Sequence, residues 1–180
     1  MVERCPDKTE LEGPIPSSPT IIYNKTMRYN NLLKLLTSII ICELAGVIGA
    51  VYTTPAIGLW YKDLNKPSFN PPNWIFGPVW TTLFILMGVS FYLVWSKKIT
   101  VNLVVIFATQ LVFNILWSVI FFTAHSPSVA FFVLLMLWFA IAFTIINFYR
   151  VSKLAAWLLL PYILWVSFAG ILNYFIWILN

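Results

Sequence analysis

The sequence is poor in charge, and this limits the class of protein more than any single motif does. Only 9% of the 180 residues are Asp, Glu, Lys or Arg, while 61% are hydrophobic. A soluble domain of this length needs far more charged surface, so a water-soluble globular fold is excluded. The apolar runs are continuous instead of alternating, which argues against a transmembrane β-barrel. We therefore predict an all-α membrane protein, a bundle of five transmembrane helices.

Residues that usually carry catalysis or bind metals are also scarce. The chain has 2 cysteines, Cys5 in a polar stretch and Cys42 inside an apolar run, so neither a disulfide framework nor a metal site is predicted. The only histidine, His125, lies in a short turn and is expected to be solvated. No nucleophile–base pair, carboxylate pair or glycine-rich phosphate loop occurs, which argues against conventional hydrolytic catalysis. The net charge of +5 is spread between the apolar runs, so no nucleic-acid partner is predicted.

Five apolar segments are long enough to cross a membrane, at about residues 33–52, 79–95, 100–122, 129–149 and 155–179. Residues 1–31 form a polar tail that we expect to be disordered or peripheral, without a cleavable signal peptide. Residues 32–180 form the transmembrane domain, with a proline-rich loop at 53–78. Pro161 is expected to kink the last helix.

The basic residues predict the orientation of these helices. One side of the membrane holds only Lys62 and Lys66, so by the positive-inside rule the opposite side, with the N-terminus, is cytoplasmic. That cytoplasmic side holds Arg4, Lys8, Lys25, Arg28, Lys34, Lys97, Lys98, Arg150 and Lys153.

Three predicted helices each gather distinctive residues on one side. The amides among them must bond either a neighbouring helix or a ligand, and their spacing leaves both readings open. The rows are Trp80, Leu83, Met87 and Phe91 in the second span, Gln110, Asn114, Trp117 and Phe121 in the third, and Pro161, Trp165, Ala169 and Asn173 in the fifth.

The first span contains the one acidic residue within the predicted membrane helices, Glu43. An ionisable group at that depth is a functional candidate, but a carboxyl that stays protonated or bonds a neighbouring helix is an equally ordinary reading. The small residues Ala45, Gly46, Gly49 and Ala50 follow it, and their spacing favours the close approach of another helix.

Aromatic residues are abundant where charge is not. The chain has 9 Trp, 8 Tyr and 15 Phe, and the stretch from Trp60 to Trp80 combines several of them with four prolines that stiffen it. This composition suits a pocket for a flat, apolar, aromatic ligand oriented by a few polar groups. An aromatic belt at the membrane interface is the alternative reading.

The order of these residues resembles the translocator protein family, also called the tryptophan-rich sensory protein or peripheral benzodiazepine receptor family. The resemblance extends from Trp60 to Trp177 and is carried by Trp60-Tyr61, Lys66-Pro67-Ser68-Phe69, Pro71-Pro72, Gly77-Pro78-Val79-Trp80, Gln110-Leu111, Asn114, Trp117, Pro161-Tyr162, Trp165 and Asn173-Tyr174. It implies a five-helix bundle that binds porphyrins, haem and synthetic benzodiazepine-type ligands, and that forms homodimers. Porphyrin or haem would be a ligand, with no cofactor required. No basic residue follows Tyr174, so the family's sterol-recognition pattern is incomplete and sterol handling is not expected.

The resemblance, together with the helix rows, implies one ligand-binding site. It comprises Trp60, Tyr61, Trp80, Leu83, Met87, Gln110, Asn114, Trp117, Phe121, Trp165, Ala169 and Asn173.

The leading hypothesis for function is a membrane-embedded binder and sensor of tetrapyrroles, in contact with membrane lipid. The first alternative is a light- and oxygen-dependent enzyme that degrades porphyrin, for which the resemblance names Trp80 and Trp165 as the reactive residues. The second is a porphyrin or lipid transporter, although no inverted repeat supports alternating access. A prokaryotic-type cell membrane is the expected location, with the mitochondrial outer membrane as the alternative.

Overall fold

The computed structural model describes residues 19–180, and within them it contains helices and no strand. The helices are α1 (Pro19–Ile57), α2 (Trp60–Asp63), α3 (Asn73–Lys97), α4 (Val101–Phe122), α5 (Pro127–Tyr149), α6 (Lys153–Leu158) and α7 (Leu160–Leu179). The chain divides into two units, residues 1–33 and 34–180, and the core lies within the second.

Five segments are long and apolar enough to cross a membrane, which confirms the predicted all-α membrane fold. Their mean hydropathy ranges from 1.6 to 2.8, and they are Tyr29–Ile57, Asn73–Lys97, Val101–Phe122, Pro127–Tyr149 and Lys153–Leu179. Large apolar side chains stay exposed along their outer surfaces, as expected where the surrounding solvent is lipid.

Several boundaries differ from those predicted. Residues 19–31, predicted as tail, belong to α1, because no proline or glycine interrupts the chain between Pro19 and Gly46. The disorder expected of residues 1–18 lies outside the described residues. The loop predicted at 53–78 is shorter, since α1 continues through Pro55 to Ile57 and α3 begins directly after Pro72.

The last membrane segment is interrupted at Leu159, which separates α6 from α7. Pro161 lies two residues further on, where it has no N–H to donate back to the preceding turn. The Leu159 amide instead donates to the carbonyl of Ala156 over 3.1 Å, a tightened turn. The break therefore lies where a kink was expected.

The core lies between α3, α4, α5 and the α6–α7 pair. Phe91 stacks on Phe107 with 4.6 Å between ring centroids, and Phe107 stacks on Phe148 at 5.8 Å. Ser90 donates a buried 2.7 Å hydrogen bond to the carbonyl of Ala155, which joins α3 to α6. These contacts fix the end of the bundle that is remote from the proline-rich loop.

Helix α1 packs against α3 and α4 through small residues, as its sequence predicted. A methyl group added to Gly88 of α3 would lie 2.6 Å from Cα of Ile39, so the two backbones are in direct contact there. Gly46 and Gly49 similarly face Phe84 and Ser118. Towards the loop end the same helices separate and leave a cavity.

Candidate functional site

A cavity of about 440 Å³ lies between α1, α2, α3, α4 and α7. This volume is within the usual range for small-molecule sites. Along α1 the lining runs from Glu43 to Ile57, a length of about 21 Å at the helical rise of 1.5 Å per residue. Seven of the predicted site residues line it, namely Tyr61, Trp80, Asn114, Trp117, Phe121, Ala169 and Asn173.

One wall of the cavity is a continuous aromatic surface from α3 to α4. Trp80 stacks on Phe84 with centroids 5.6 Å apart and lies 6.4 Å from Trp117. Trp117 lies 5.6 Å from Phe121, one turn further along α4. The spacing of three and four residues along α4 places these rings on one face, so the wall follows directly from the sequence period. A flat aromatic ligand can stack on such a surface.

The amides at the cavity are held by hydrogen bonds between helices. Trp117 Nε1 donates to Asn173 Oδ1 over 3.1 Å, and Asn173 Nδ2 donates to the carbonyl of Pro127 over 2.7 Å. Asn114 Nδ2 donates to the Tyr162 hydroxyl over 3.0 Å. The interhelical reading of these amides is therefore correct, and it fixes the tilt of the Trp117 indole. The carbonyl oxygen of Asn114 keeps acceptor capacity towards the cavity.

The segment between α2 and α3 lies next to the end of the cavity that Tyr61, Asn73 and Trp74 line. Tyr61 is buried, and its hydroxyl donates to Asn70 Oδ1 over 3.0 Å. Burial raises the pKa of the Tyr61 phenol, and the bond to Asn70 offsets part of that rise. Lys66 Nζ lies 4.7 Å from the centroid of the Tyr61 ring, a cation–π contact.

The same segment is tied to the end of α7. The Asn65 backbone N–H donates to Asn180 Oδ1 over 2.9 Å, and Asn180 Nδ2 donates to the Asn65 carbonyl over 3.0 Å. Phe69 packs edge-on against Phe168 and Phe175. Together with the prolines, these contacts hold residues 64–72 in place beside the cavity, and this segment is called the lid below.

Five predicted site residues do not line the cavity. Trp60 lies behind the wall, stacked on His125 at 4.4 Å and edge-on to Phe121. Trp165 contacts Phe76 and Phe168, and its buried Nε1 has no hydrogen-bond partner within residues 19–180. The other three are buried in the bundle and absent from the lining: Leu83, Met87 and Gln110.

Gln110 has an unusual environment for a buried amide. Its side chain is fully buried, and neither Oε1 nor Nε2 has a hydrogen-bond partner among the described residues. It lies one turn from Asn114 on α4, on the side away from the lid. The structure therefore does not bring it to the cavity.

Other lining residues were not included in the predicted site. Glu43 and Gly46 of α1 line the inner part of the cavity, and Trp74, 74% exposed, lies at its rim. The signals were present, since Glu43 is ionisable within a span and the small residues of α1 mark a helix contact. What the sequence could not show is that α1 forms a wall of the same cavity as α3 and α4.

The fold and the cavity define a class: a five-helix integral membrane protein with an aromatic-lined cavity between its helices. Comparison with known proteins identifies the family within this class. Residues 38–178 match the TspO/MBR family, and the chain belongs to that family.

Named relatives come from archaea, bacteria and animals. The tryptophan-rich protein TspO of Archaeoglobus fulgidus is 40% identical over 152 residues, 83% of this chain and 99% of the relative. The tryptophan-rich protein TspO of Chlorobaculum tepidum is 45% identical, over 83% of this chain and 97% of the relative. The human translocator protein is 44% identical over 123 residues, 66% of this chain and 73% of the relative. The resemblance found in the sequence is thereby confirmed.

Proposed function

We propose that this membrane protein binds a flat, apolar tetrapyrrole, such as a porphyrin or haem, in the cavity between α1, α3, α4 and α7. The observation that carries the proposal is the aromatic wall of Trp80, Phe84, Trp117 and Phe121, which lines a cavity of about 440 Å³. Similarity to a tryptophan-rich sensory protein of Cereibacter sphaeroides supports a role in sensing.

The shape and polarity of the cavity favour this class of ligand over a small polar metabolite. The aromatic surface offers stacking, while the polar groups are few and mostly committed to bonds between helices. No lysine or arginine lines the cavity in the described part of the chain, so the cavity holds no cation for a phosphate.

Membrane lipid and a second copy of the chain are the further partners that we propose. The exposed side of α1 presents large apolar residues, including Leu36, Ile40 and Leu44, which contact lipid or a second copy in a homodimer. Neither contact involves the aromatic wall.

The test is a titration of the purified protein with protoporphyrin IX in the dark, followed through the porphyrin absorption band. Trp80→Leu removes one face of the wall and should weaken binding about tenfold, since stacking and burial at this site contribute about 1.4 kcal/mol or more. Trp157→Leu is the matched control, because Trp157 is 62% exposed and lies outside the cavity. Equal affinities for the two variants would refute the site.

Illumination in air separates binding from turnover. Trp80 is one of three tryptophans that line the cavity, with Trp74 and Trp117, whereas Trp165 lies outside the lining. If the protein is an enzyme, protein-dependent bleaching should occur in the wild type and disappear in Trp80→Phe with dark binding retained. A stable porphyrin spectrum in the wild type supports a binder or sensor instead.

A further inference from the structure

Glu43 is an isolated carboxyl at the inner end of the cavity. It lines the cavity from α1, and its buried Oε1 has no hydrogen-bond partner among the described residues. Within the same part of the chain it is the only carboxyl in the lining, and the lining includes no lysine or arginine. An ionisable group within a membrane span is costly unless something pairs with it, and no counter-ion lines the cavity among the residues whose side chains the structure describes.

Aromatic rings line the same cavity and approach α1 one helical turn after this carboxyl. Gly46, one helical turn after Glu43, is covered by the Phe84 ring, because a methyl group added to Gly46 would lie 2.5 Å from that ring. Phe84 in turn stacks on Trp80. A cation near the faces of tryptophan and phenylalanine is stabilised by the ring quadrupoles, and a carboxylate beside them adds a counter-charge.

We propose that the inner end of the cavity, formed by Glu43 with the Trp80 and Phe84 rings, is a subsite for a cationic nitrogen on a flat aromatic ligand. The inference rests on the proposed function to the extent that the cavity must accept a flat ligand. It adds a direction to that binding, because one end of the cavity attracts a basic group and repels an acidic one.

The same charge pattern orients a tetrapyrrole. Porphyrins such as protoporphyrin IX carry carboxylates at one edge of the ring, and an acidic edge beside Glu43 would bring like charges together without a bridging cation. The lid end offers the opposite charge, since Lys66 lies over Tyr61, which lines the cavity. The carboxylate edge therefore faces the lid and the apolar edge faces Glu43.

The test uses three fluorescent probes that share one flat ring and differ in a single group: 1-pyrenemethylamine, 1-pyrenemethanol and 1-pyrenecarboxylic acid. Energy transfer from tryptophan reports binding to the protein in phosphatidylcholine nanodiscs, with empty nanodiscs as the blank. The wild type should bind the amine at least tenfold more tightly than the alcohol, and the acid most weakly. Glu43→Gln keeps the size and polarity of the side chain but removes its charge, so it should bind the three probes within about threefold of each other.

Ser38→Ala is the control variant on the same helix. Ser38 is absent from the cavity lining, and its hydroxyl donates to the carbonyl of Lys34 in its own helix. The amine preference should therefore survive this substitution.

The outcomes separate the two proposals. Equal binding of amine and alcohol by the wild type, or an amine preference that persists in Glu43→Gln, overturns the subsite and leaves the cavity as a ligand site. Failure of all three probes to bind the wild type overturns the subsite, while the titration with protoporphyrin IX separately decides the proposed function. If Glu43→Gln does not fold, the wild-type order of affinities alone decides, because a structural carboxyl would not discriminate between the probes.

Discussion

The contact between α1 and α3 at Gly88 allows a stability prediction with a magnitude taken from the structure. In Gly88→Ala the new Cβ would lie 2.6 Å from Cα of Ile39, whereas ordinary contact begins at 3.4 Å. The two helices must therefore separate by about 0.8 Å, and no side-chain rotation can relieve the clash because its partner is backbone. Overpacking of this kind costs about 1–3 kcal/mol. Alanine is favoured over glycine in a helix by about 1 kcal/mol, which offsets part of that cost.

A matched control lies on the same helix. At Gly77 of α3, no atom beyond its chain neighbours and its own helix backbone lies within 4 Å of the position that a methyl group would take, so Gly77→Ala should cause no clash with another helix. The following Pro78 disfavours a helical alanine at this position and offsets its helix preference. Reversible unfolding in mixed detergent micelles measures both variants. We expect Gly88→Ala to lose up to about 2 kcal/mol relative to the wild type and Gly77→Ala to be near neutral. If the two variants are equally stable, the direct backbone contact is refuted.

Three further predictions concern the lid, its tyrosine and the orientation of the chain. Because burial raises the pKa of Tyr61, the contribution of its neutral phenol to stability is complete below the ordinary pKa of about 10 and declines as the pH rises above it. The unfolding midpoint of the wild type should therefore fall more steeply above pH 10 than that of Tyr61→Phe. Parallel curves for the two proteins would contradict this. Asn180→Ala removes two hydrogen bonds to Asn65, so hydrogen exchange over residues 64–72 should accelerate. Asn147→Ala should leave that exchange unchanged, because the Asn147 amide bonds only its own helix. Equal exchange in the two variants would show that the lid is fastened elsewhere. In a variant without native cysteines, His125→Cys should react with a membrane-impermeant maleimide added outside intact cells, and Ser96→Cys should react only after the cells are permeabilised. The reverse labelling pattern would show that the predicted topology is inverted.

The sequence predicted the aromatic wall well because it depends on local periodicity. Asn114, Trp117 and Phe121 recur at helical spacing and line one cavity, as their spacing indicated. Gln110 belongs to the same row but lies one turn too deep. Met87 lies beyond Phe84 on α3 and is also too deep, whereas Leu83 points away from the face on which Trp80, Thr81 and Phe84 line the cavity. Periodicity gives the direction of a side chain, but the depth at which neighbouring helices close is set by tertiary packing.

Trp165 illustrates a second limit of the sequence. It shares steps of four residues with Ala169 and Asn173, but each such step advances about 40° around the helix, so Trp165 and Asn173 differ by about 80°. Asn173 reaches the cavity, while Trp165 turns towards Phe76 and Phe168. The role of α1 as a wall depends on contacts at Gly46, Gly49 and Gly88 that join distant parts of the chain. The small residues of α1 indicate that another helix approaches closely, but the sequence does not show which helix makes the contact.

The wall that α1 contributes also bears on how affinity should be expressed. Val47 lines the cavity and yet is 57% exposed on the outer surface of a membrane helix, so the cavity borders the hydrocarbon phase. A ligand that enters on this side is drawn from the bilayer, and its local concentration is set by its partition coefficient. A hydrophobic ligand with modest intrinsic affinity can then fill the cavity at a low aqueous concentration. Dissociation constants for such ligands are therefore comparable only as mole fractions in lipid.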